Sequence, residues 1–409
     1  MNLPLWTLLA VFLLIAFRHL ARGRLAIWQI VLGGALVVLL GGAIAPAAAW
    51  QAIDWEVIGF LAGVFVLGQA LVASGLLYRA SSRLLGRVGS AEGLVLAVLV
   101  GSGLASALLM NDTLAVIGTP LMLVLARVHR LPPVLLLLAL AFGVTLGSVM
   151  SPIGNPQNLL IALHGGLANP FLDFFATLAL PTLLNLLLAW AVLRFAFRKA
   201  FHGRALLHEQ PALDDARLAW LAGAGLAAMA AVVCAKIGLA LAGSAFQLPM
   251  WTVAAAACAP ILLASPRRLE VVRDIDWHTL VFFAALFVLV RAVWDSGAVQ
   301  AWLAADPAAY ASMPVLLAGS ALLSQLVSNV PLVALALPLV HDGGGQVGAL
   351  LALAAGSTVA GNLTLVGAAS NVIIVQAAER RGAHLGFWRF LAIGAPLTLL
   401  NLLVYWLFL

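Results

Sequence analysis

Charge is scarce in this chain: 9% of its 409 residues are Asp, Glu, Lys or Arg, while 64% are hydrophobic. Soluble domains carry roughly 25% charged residues, so a water-soluble fold is excluded and a polytopic membrane protein is indicated. Lysine is nearly absent, with Lys199 and Lys236 the two examples, and neither follows a glycine. A Gly-x-x-x-x-Gly-Lys loop is therefore missing, which excludes ATP hydrolysis by that route. Neither Gly-x-Ser-x-Gly nor His-Glu-x-x-His occurs, so hydrolysis has no obvious carrier and no enzymatic role is expected. The eight His residues lack metal-ligand spacing, and no cofactor is expected beyond a possible sodium ion or proton. Cys234 and Cys258 both lie in apolar runs, which argues against a disulfide framework and for buried structural thiols.

What is present is a series of apolar runs long enough to cross ~30 Å of hydrocarbon. They fall at about 3–18, 26–46, 55–77, 133–163, 171–197, 217–243, 249–264, 277–295, 346–378 and 388–408. Two further runs, about 93–128 and 312–341, carry polar residues at their middles and a proline beyond them, and are expected to be re-entrant hairpins. The first holds Asn111-Asp112-Thr113 with Pro120; the second holds Ser328-Asn329 with Pro331 and Pro338. Arg79, Arg83 and Arg87 fall at helical spacing, which predicts an interfacial helix over 79–89. The N-terminal run has Arg18, Arg22 and Arg24 behind it, the reverse of a cleaved signal peptide, so it is expected to be retained.

The run at 133–163 is interrupted by Ser151-Pro152-Ile153-Gly154-Asn155-Pro156-Gln157-Asn158. Prolines and glycine free main-chain groups at a depth where lipid offers no hydrogen bonds, so a broken helix there must line a protein-enclosed cavity. The run at 346–378 answers it without a gap: Gly143, Thr145, Gly154 and Asn158 recur as Gly356, Thr358, Gly367 and Asn371. Ile53-Asp54-Trp55 recurs as Ile275-Asp276-Trp277, and Ser106, Asn111 and Pro120 recur as Ser324, Asn329 and Pro338. Matching interruptions in two halves point to a transporter's binding site. The expected fold is all-α, with two inverted-topology repeats at 1–198 and 217–409 and a cytoplasmic linker at 199–216. Each repeat would hold three helices, a hairpin, a broken helix and a final helix.

Hairpin tips and broken helices meeting near the midplane would gather Asn111, Thr113, Asn155, Gln157 and Asn158 with Ser328, Asn329, Thr364, Ser370 and Asn371 around a small anionic substrate. Unwound carbonyls suit a small cation and half-helix N-termini suit an anion. Asp112 is the acidic residue at a hairpin centre, and a carboxylate in that medium is costly when ionised and alone, so it is a candidate to carry the coupling ion. Lys236 and Arg291 lie toward helix ends, where snorkelling to the interface accounts for them. Asp54 and Asp276 begin helices, where a capping role is expected. The high pI, about 10.1, reflects basic residues that punctuate the runs rather than a nucleic-acid face.

These motifs resemble the ion transporter superfamily of arsenite permeases, NhaD-type antiporters, citrate transporters and divalent anion/sodium symporters. The likeness rests on residues 151–158, similar to the family's Ser/Thr-Pro-Ile-Gly-x-Pro-x-Asn signature, and on Ser328-Asn329, similar to its Ser-Asn-Thr hairpin. The resemblance implies one cation site from Ser106, Asn111 and the backbone near Gly154, and a mirror site from Ser324, Asn329 and the backbone near Gly367. It also implies an elevator-type homodimer. Met110, Asp112 and Val330 depart from the symporter pattern, and Asn111-Asp112 is closer to arsenite permeases. The function expected is ion-coupled secondary transport of a small anion or oxyanion in a bacterial inner membrane. The alternatives are a cation/proton antiporter using Asp112 and a passive anion channel.

Nineteen of the 21 Lys and Arg fall on one side if the N-terminus lies outside, leaving Lys236 and Arg291 opposite. Both termini are then expected outside the cytoplasm. A cysteine replacing His208 in the linker is expected to resist an impermeant thiol reagent in intact cells and to react once they are opened. Labelling in intact cells would invalidate the proposed orientation.

Overall fold

The computed structural model describes residues 2–17, 26–85, 88–201, 215–242, 244, 248–297, 312–342, 346–365 and 367–409. The expectations resting on Arg18, Arg22, Arg24 and Arg87, and on most of the linker, lie outside those residues. The described chain is α-helical. Its helices are α1 (Leu3–Phe17), α2 (Ile27–Leu40), α3 (Pro46–Ala52), α4 (Trp55–Ala73), α5 (Leu76–Leu85), α6 (Ala91–Leu109) and α7 (Asn111–Val128). There follow α8 (Pro133–Val149), α9 (Pro156–His164), α10 (Pro170–Ala196), α11 (Ala216–Leu241), α12 (Trp251–Ala264), α13 (Arg268–Arg273) and α14 (Trp277–Asp295). The chain closes with α15 (Met313–Val327), α16 (Asn329–Asp342), α17 (Val347–Leu363), α18 (Ala369–Glu379) and α19 (Phe387–Phe408).

Local chemistry sets these boundaries. Asp54, Ser90, Asp215 and Asp276 cap α4, α6, α11 and α14 through their side-chain oxygens. Proline opens α3, α8, α9 and α10, where its missing N–H is no loss. The run at 26–46 divides, because Gly41 ends α2 and Gly42 takes a φ of 70°, after which Pro46 opens α3. The interfacial helix sits earlier than its arginines suggest, as α5 over Leu76–Leu85.

Among the described residues seven helices are long and apolar enough to cross a membrane, and α6 and α7 are among them. The expected first hairpin is thus two long legs meeting at Met110, whose φ of 66° reverses the chain. Ser328 does the same between α15 and α16 with a φ of 70°. Both turns place a non-glycine residue in left-handed backbone, a local cost of order 1–3 kcal/mol that the packed legs must hold.

Two packed bodies are apparent. α6 to α10 and α15 to α19 share one core around Phe142, Phe174, Phe390 and Tyr405, all buried. α1 to α5 and α11 to α14 pack chiefly among themselves and meet the first body sparsely. Inside the first body, α6 and α8 approach to backbone contact: a Cβ on Gly147 would lie 2.0 Å from the Gly103 carbonyl oxygen. The second half repeats the device, since a Cβ on Gly356 would lie 2.2 Å from the Leu317 oxygen and 2.2 Å from Ser320 Oγ. With lipid tails as apolar as leucine, small residues that admit such contact are what hold helices together. Gly147→Ala is expected to lower stability by roughly 1–3 kcal/mol through overpacking, visible as a lower thermal midpoint in detergent; an unchanged midpoint would deny the close crossing.

Candidate functional site

The first interruption is enclosed: residues 151–162 are all buried. Asn155 lies in extended backbone and its Oδ1 accepts from the Asn158 amide at 2.8 Å, capping α9. Asn158 then turns its Nδ2 back onto the carbonyl oxygens that α8 frees, at 3.0 Å from Ser148, 3.4 Å from Val149 and 3.0 Å from Ser151. Asn155 Nδ2 donates to Ser148 Oγ at 3.0 Å and to Thr358 Oγ1, in the other half, at 3.1 Å. Gln157 Nε2 donates to the same Thr358 oxygen at 3.3 Å. The hairpin joins here, with the Asn111 amide donating to the Gly154 oxygen at 2.9 Å and Ser106 Oγ donating to the Val144 oxygen at 2.7 Å.

The second interruption follows the same plan with fewer partners. Asn371 Nδ2 donates to the oxygens of Gly361 and Thr364, the residues equivalent to Ser148 and Ser151. Gln325 on α15 braces it: Nε2 donates to the Ala360 oxygen at 2.8 Å, and Oε1 accepts from Thr364 Oγ1 at 2.7 Å. Ala368 stands where the first half has Asn155, and Ser370 where it has Gln157. Thr145, the counterpart of Thr358, lies beside this pair: a Cβ on Gly361 would meet Ala368 Cβ at 2.8 Å and Thr145 Oγ1 at 3.5 Å. Thr145 Oγ1, Ser370 Oγ, Asn371 Oδ1, Ser324 Oγ and Asn329 Oδ1 are buried without a hydrogen-bond partner. Buried polar groups are nearly always paired, so five such oxygens at positions whose first-half equivalents are largely satisfied mark a place for a ligand.

The expected site residues therefore divide. Asn155, Gln157 and Asn158 gather around Thr358; Ser370 and Asn371 form the second cluster; Thr364 faces Gln325. Thr113 is turned away, against Gly68 of α4, where an added Cβ would meet its Cγ2 at 2.8 Å. Ser328 serves as the turn between hairpin legs. Asp112 is half-buried, and its main-chain amide donates to Asn111 Oδ1 at 2.9 Å. Cys234 is exposed on α11 rather than buried. Arg291 is paired by Asp295, both carboxylate oxygens lying 2.9 Å from its Nε.

On the face carrying Asp54, one contact joins the two bodies. Asp54 Oδ1 accepts from the Glu56 and Val57 amides at 3.0 Å each, and Oδ2 meets His164 Nε2 at the end of α9. Burial pushes the Asp54 carboxyl up, but the bonds from His164 and from those amides outweigh it and hold it below the usual range. Beside this pair a cavity of about 230 Å³ opens between the bodies, with Glu56 and Lys236 in its wall. On the other side of the second body, the Leu218 amide and Arg267 hold the Asp215 carboxyl low.

Two features escaped the reading of motifs. Thr-Leu-Leu-Asn-Leu-Leu occurs at 182–187 and again at 398–403, the same place in the final helix of each half. The structure brings the copies together: Asn401 Nδ2 donates to Asn185 Oδ1 at 2.8 Å, and Asn362 Nδ2 donates to Asn401 Oδ1 at 3.2 Å. Thr182 Oγ1 and Tyr405 Oη close the layer at 2.7 Å. The hexapeptide repeat was a usable signal; Gln325, whose first-half counterpart is Ala107, left none.

Comparison with known proteins agrees with this architecture. A family model described as citrate transporter, CitMHS, matches residues 11–348. The inner membrane protein YbiR of Escherichia coli is 30% identical over 368 residues, covering 88% of this chain and 89% of its own. The silicon efflux transporter LSI3 of rice is 29% identical, covering 96% and 93%. Among solved structures, the YdaH transporter of Alcanivorax borkumensis superposes with a TM-score of 0.60 at 18% identity over 90% of this chain and 86% of its own, a likeness of fold.

Because Asn158 Nδ2 serves the oxygens of Ser148, Val149 and Ser151, two of which hold otherwise only long bonds from the Ser151 and Gly154 amides, Asn158→Ala is expected to cost about 1–3 kcal/mol. The measurement is the thermal midpoint of purified protein, with Asn158→Asp as the shape-preserving comparison. A midpoint equal to wild type in Asn158→Ala would show that the interruption does not depend on this side chain.

Proposed function

Because the chain belongs to the CitMHS citrate-transporter family, we propose that it carries a small anion or oxyanion across the membrane by alternating access, coupled to a cation or a proton. The observation that supports this most is the pair of interrupted helices, buried within one body and presenting amides, hydroxyls and freed main-chain groups at matching positions. An interior lined that way recognises a hydrated ion by replacing its water ligands, while offering nothing to a purely apolar solute.

Among the described residues no Lys or Arg hydrogen-bonds into either interruption. Positive charge for an anion must then come from half-helix N-termini and from a co-bound cation. Asn329 Oδ1 and Asn371 Oδ1 accept only, so a monovalent cation such as sodium suits them. Each ion lowers the electrostatic cost of the other, which is the physical basis of coupling. Asp112 supplies a second route, because a carboxylate at the hairpin turn can hold a proton or a metal ion and thereby change the charge of the segment that moves. The family's substrate description is citrate and the rice relative is named for silicon efflux. Carboxylates and oxyanions are therefore the classes to test. The two halves, 1–198 and 217–409, would act as inverted repeats, the first body moving against α1 to α5 and α11 to α14.

Purified protein in liposomes is expected to accumulate at least one of citrate, phosphate, arsenate or silicate when a sodium or proton gradient is imposed. Flux that ignores both gradients would favour a channel and defeat the proposal. Asp112→Asn keeps shape and fixes neutrality, so it is expected to abolish accumulation driven by a gradient while sparing exchange. Accumulation at the wild-type level would assign Asp112 a structural role only.

A further inference from the structure

The two interruptions are built on one plan, yet they differ at the capping position, and also where Ser370 stands for Gln157. In the first half, Asn155 spends its oxygen on the Asn158 amide and its nitrogen on Thr358. The N-terminus of α9 is thereby closed, and the hydroxyl opposite is satisfied. In the second half the equivalent residue is Ala368, which has no side-chain hydrogen bond to give, so among the described residues no side chain caps the first amides of α18. With Ala368 for Asn155 and Ser370 for Gln157, the two donors that serve Thr358 in the first half have no counterparts here, and Thr145 Oγ1 and Ser370 Oγ are without partners. Access differs in the same sense: residues 151–162 are wholly buried, whereas Ala369, at the start of α18, is exposed.

Uncapped amides at a helix start, together with hydroxyl donors and the positive end of the helix dipole, are the chemistry that holds an oxyanion. We propose that the anion is bound in one half only, at the N-terminus of α18, by the main-chain amides of Ser370 and Asn371 with the hydroxyls of Thr145 and Ser370. The class of ligand is a carboxylate or an inorganic oxyanion. Asn155 occludes the equivalent place in the first half, which makes position 155 and position 368 the residues that decide which half is used. The orphaned Asn371 Oδ1 is an acceptor and repels an anion; it faces the accompanying cation instead. Thr145 is supplied by the first broken helix to an anion held by the second, so the bound ion bridges the two halves.

This inference rests on the proposed transport of an anion, but its test reads binding. Thermal unfolding of the full chain in detergent is followed with citrate, sulfate or phosphate, each against chloride at equal ionic strength and sodium. Wild type is expected to be stabilised by at least one probe. Ala368→Asn restores the cap of the first half and is expected to lose that stabilisation while unfolding, without probe, at or above the wild-type midpoint. Should Ala368→Asn fail to fold, Ser370→Ala and Thr145→Val each remove a donor to the anion, and each is expected to weaken the probe's apparent affinity by about tenfold or more. The inference is overturned if no probe stabilises wild type, if folded Ala368→Asn responds as wild type does, or if Ser370→Ala and Thr145→Val both bind normally. Probe binding by a chain that transports no anion in liposomes would defeat the transport reading and leave this site standing.

Discussion

A carbonyl group that leaves a helix inside a bilayer must find a donor within the protein, because hydrocarbon supplies none. The architecture depends on how this chain meets that demand twice. Asn158 and Asn371 each reach back seven and ten residues to the oxygens freed by the preceding helix. With main-chain acceptors served by a side chain, the break becomes a fixed structure and its remaining polar groups are free for other partners. The tight glycine crossings at Gly147 and Gly356 bring each hairpin leg against the helix that breaks, so the break is held between packed walls.

Symmetry of plan with asymmetry of detail runs through the molecule. Thr358 is satisfied and Thr145 is not; Ser106 has the Val144 oxygen and Ser324 has nothing. The two halves share a plan, and Ala368 in place of Asn155 divides their polar contacts unequally. A site made of neutral groups suits this division, since occupancy by one ion alters the field felt by the next far more than any lining residue does. The layer of Asn185, Asn362, Asn401 and Tyr405 lies where the final helices of both halves meet, and it ties the second broken helix to both of them.

Much of this was legible in the chain because membrane burial leaves few polar residues to interpret. Proline, glycine and asparagine at 151–158 could hardly signify anything but a break, and the matching residues at 364–371 named its partner. What the sequence could not convey was pairing at long range. Thr358 bonds to side chains about two hundred positions away, and no local period encodes that contact. Polar centres mark both hairpins, yet the legs of the first, α6 and α7, are long enough to cross a membrane while those of the second are shorter, since apolar length alone does not reveal depth. Gly41 and Gly42 were hidden inside an apolar run, and their turn divides it. Arg291 was read as snorkelling when Asp295, one helical turn on, was already there to pair with it.

The repeated Ile-Asp-Trp motif has a further consequence. Asp276 spends both carboxylate oxygens on its own helix, accepting from the Thr279 amide and from its hydroxyl, whereas Val57 at the equivalent place leaves Asp54 with an oxygen to spare. His164 takes it, and the residue equivalent to His164 in the other half is Ala377. Among the described residues the first body is therefore bonded to the second at Asp54, and the other half shows no equivalent contact. A half-exposed pair of this kind holds about 1 kcal/mol or less after screening, enough to tilt the resting population a few-fold without forbidding departure. Under the alternating access proposed above, the resting position of the first body would be weighted by one imidazole that lies outside both interruptions.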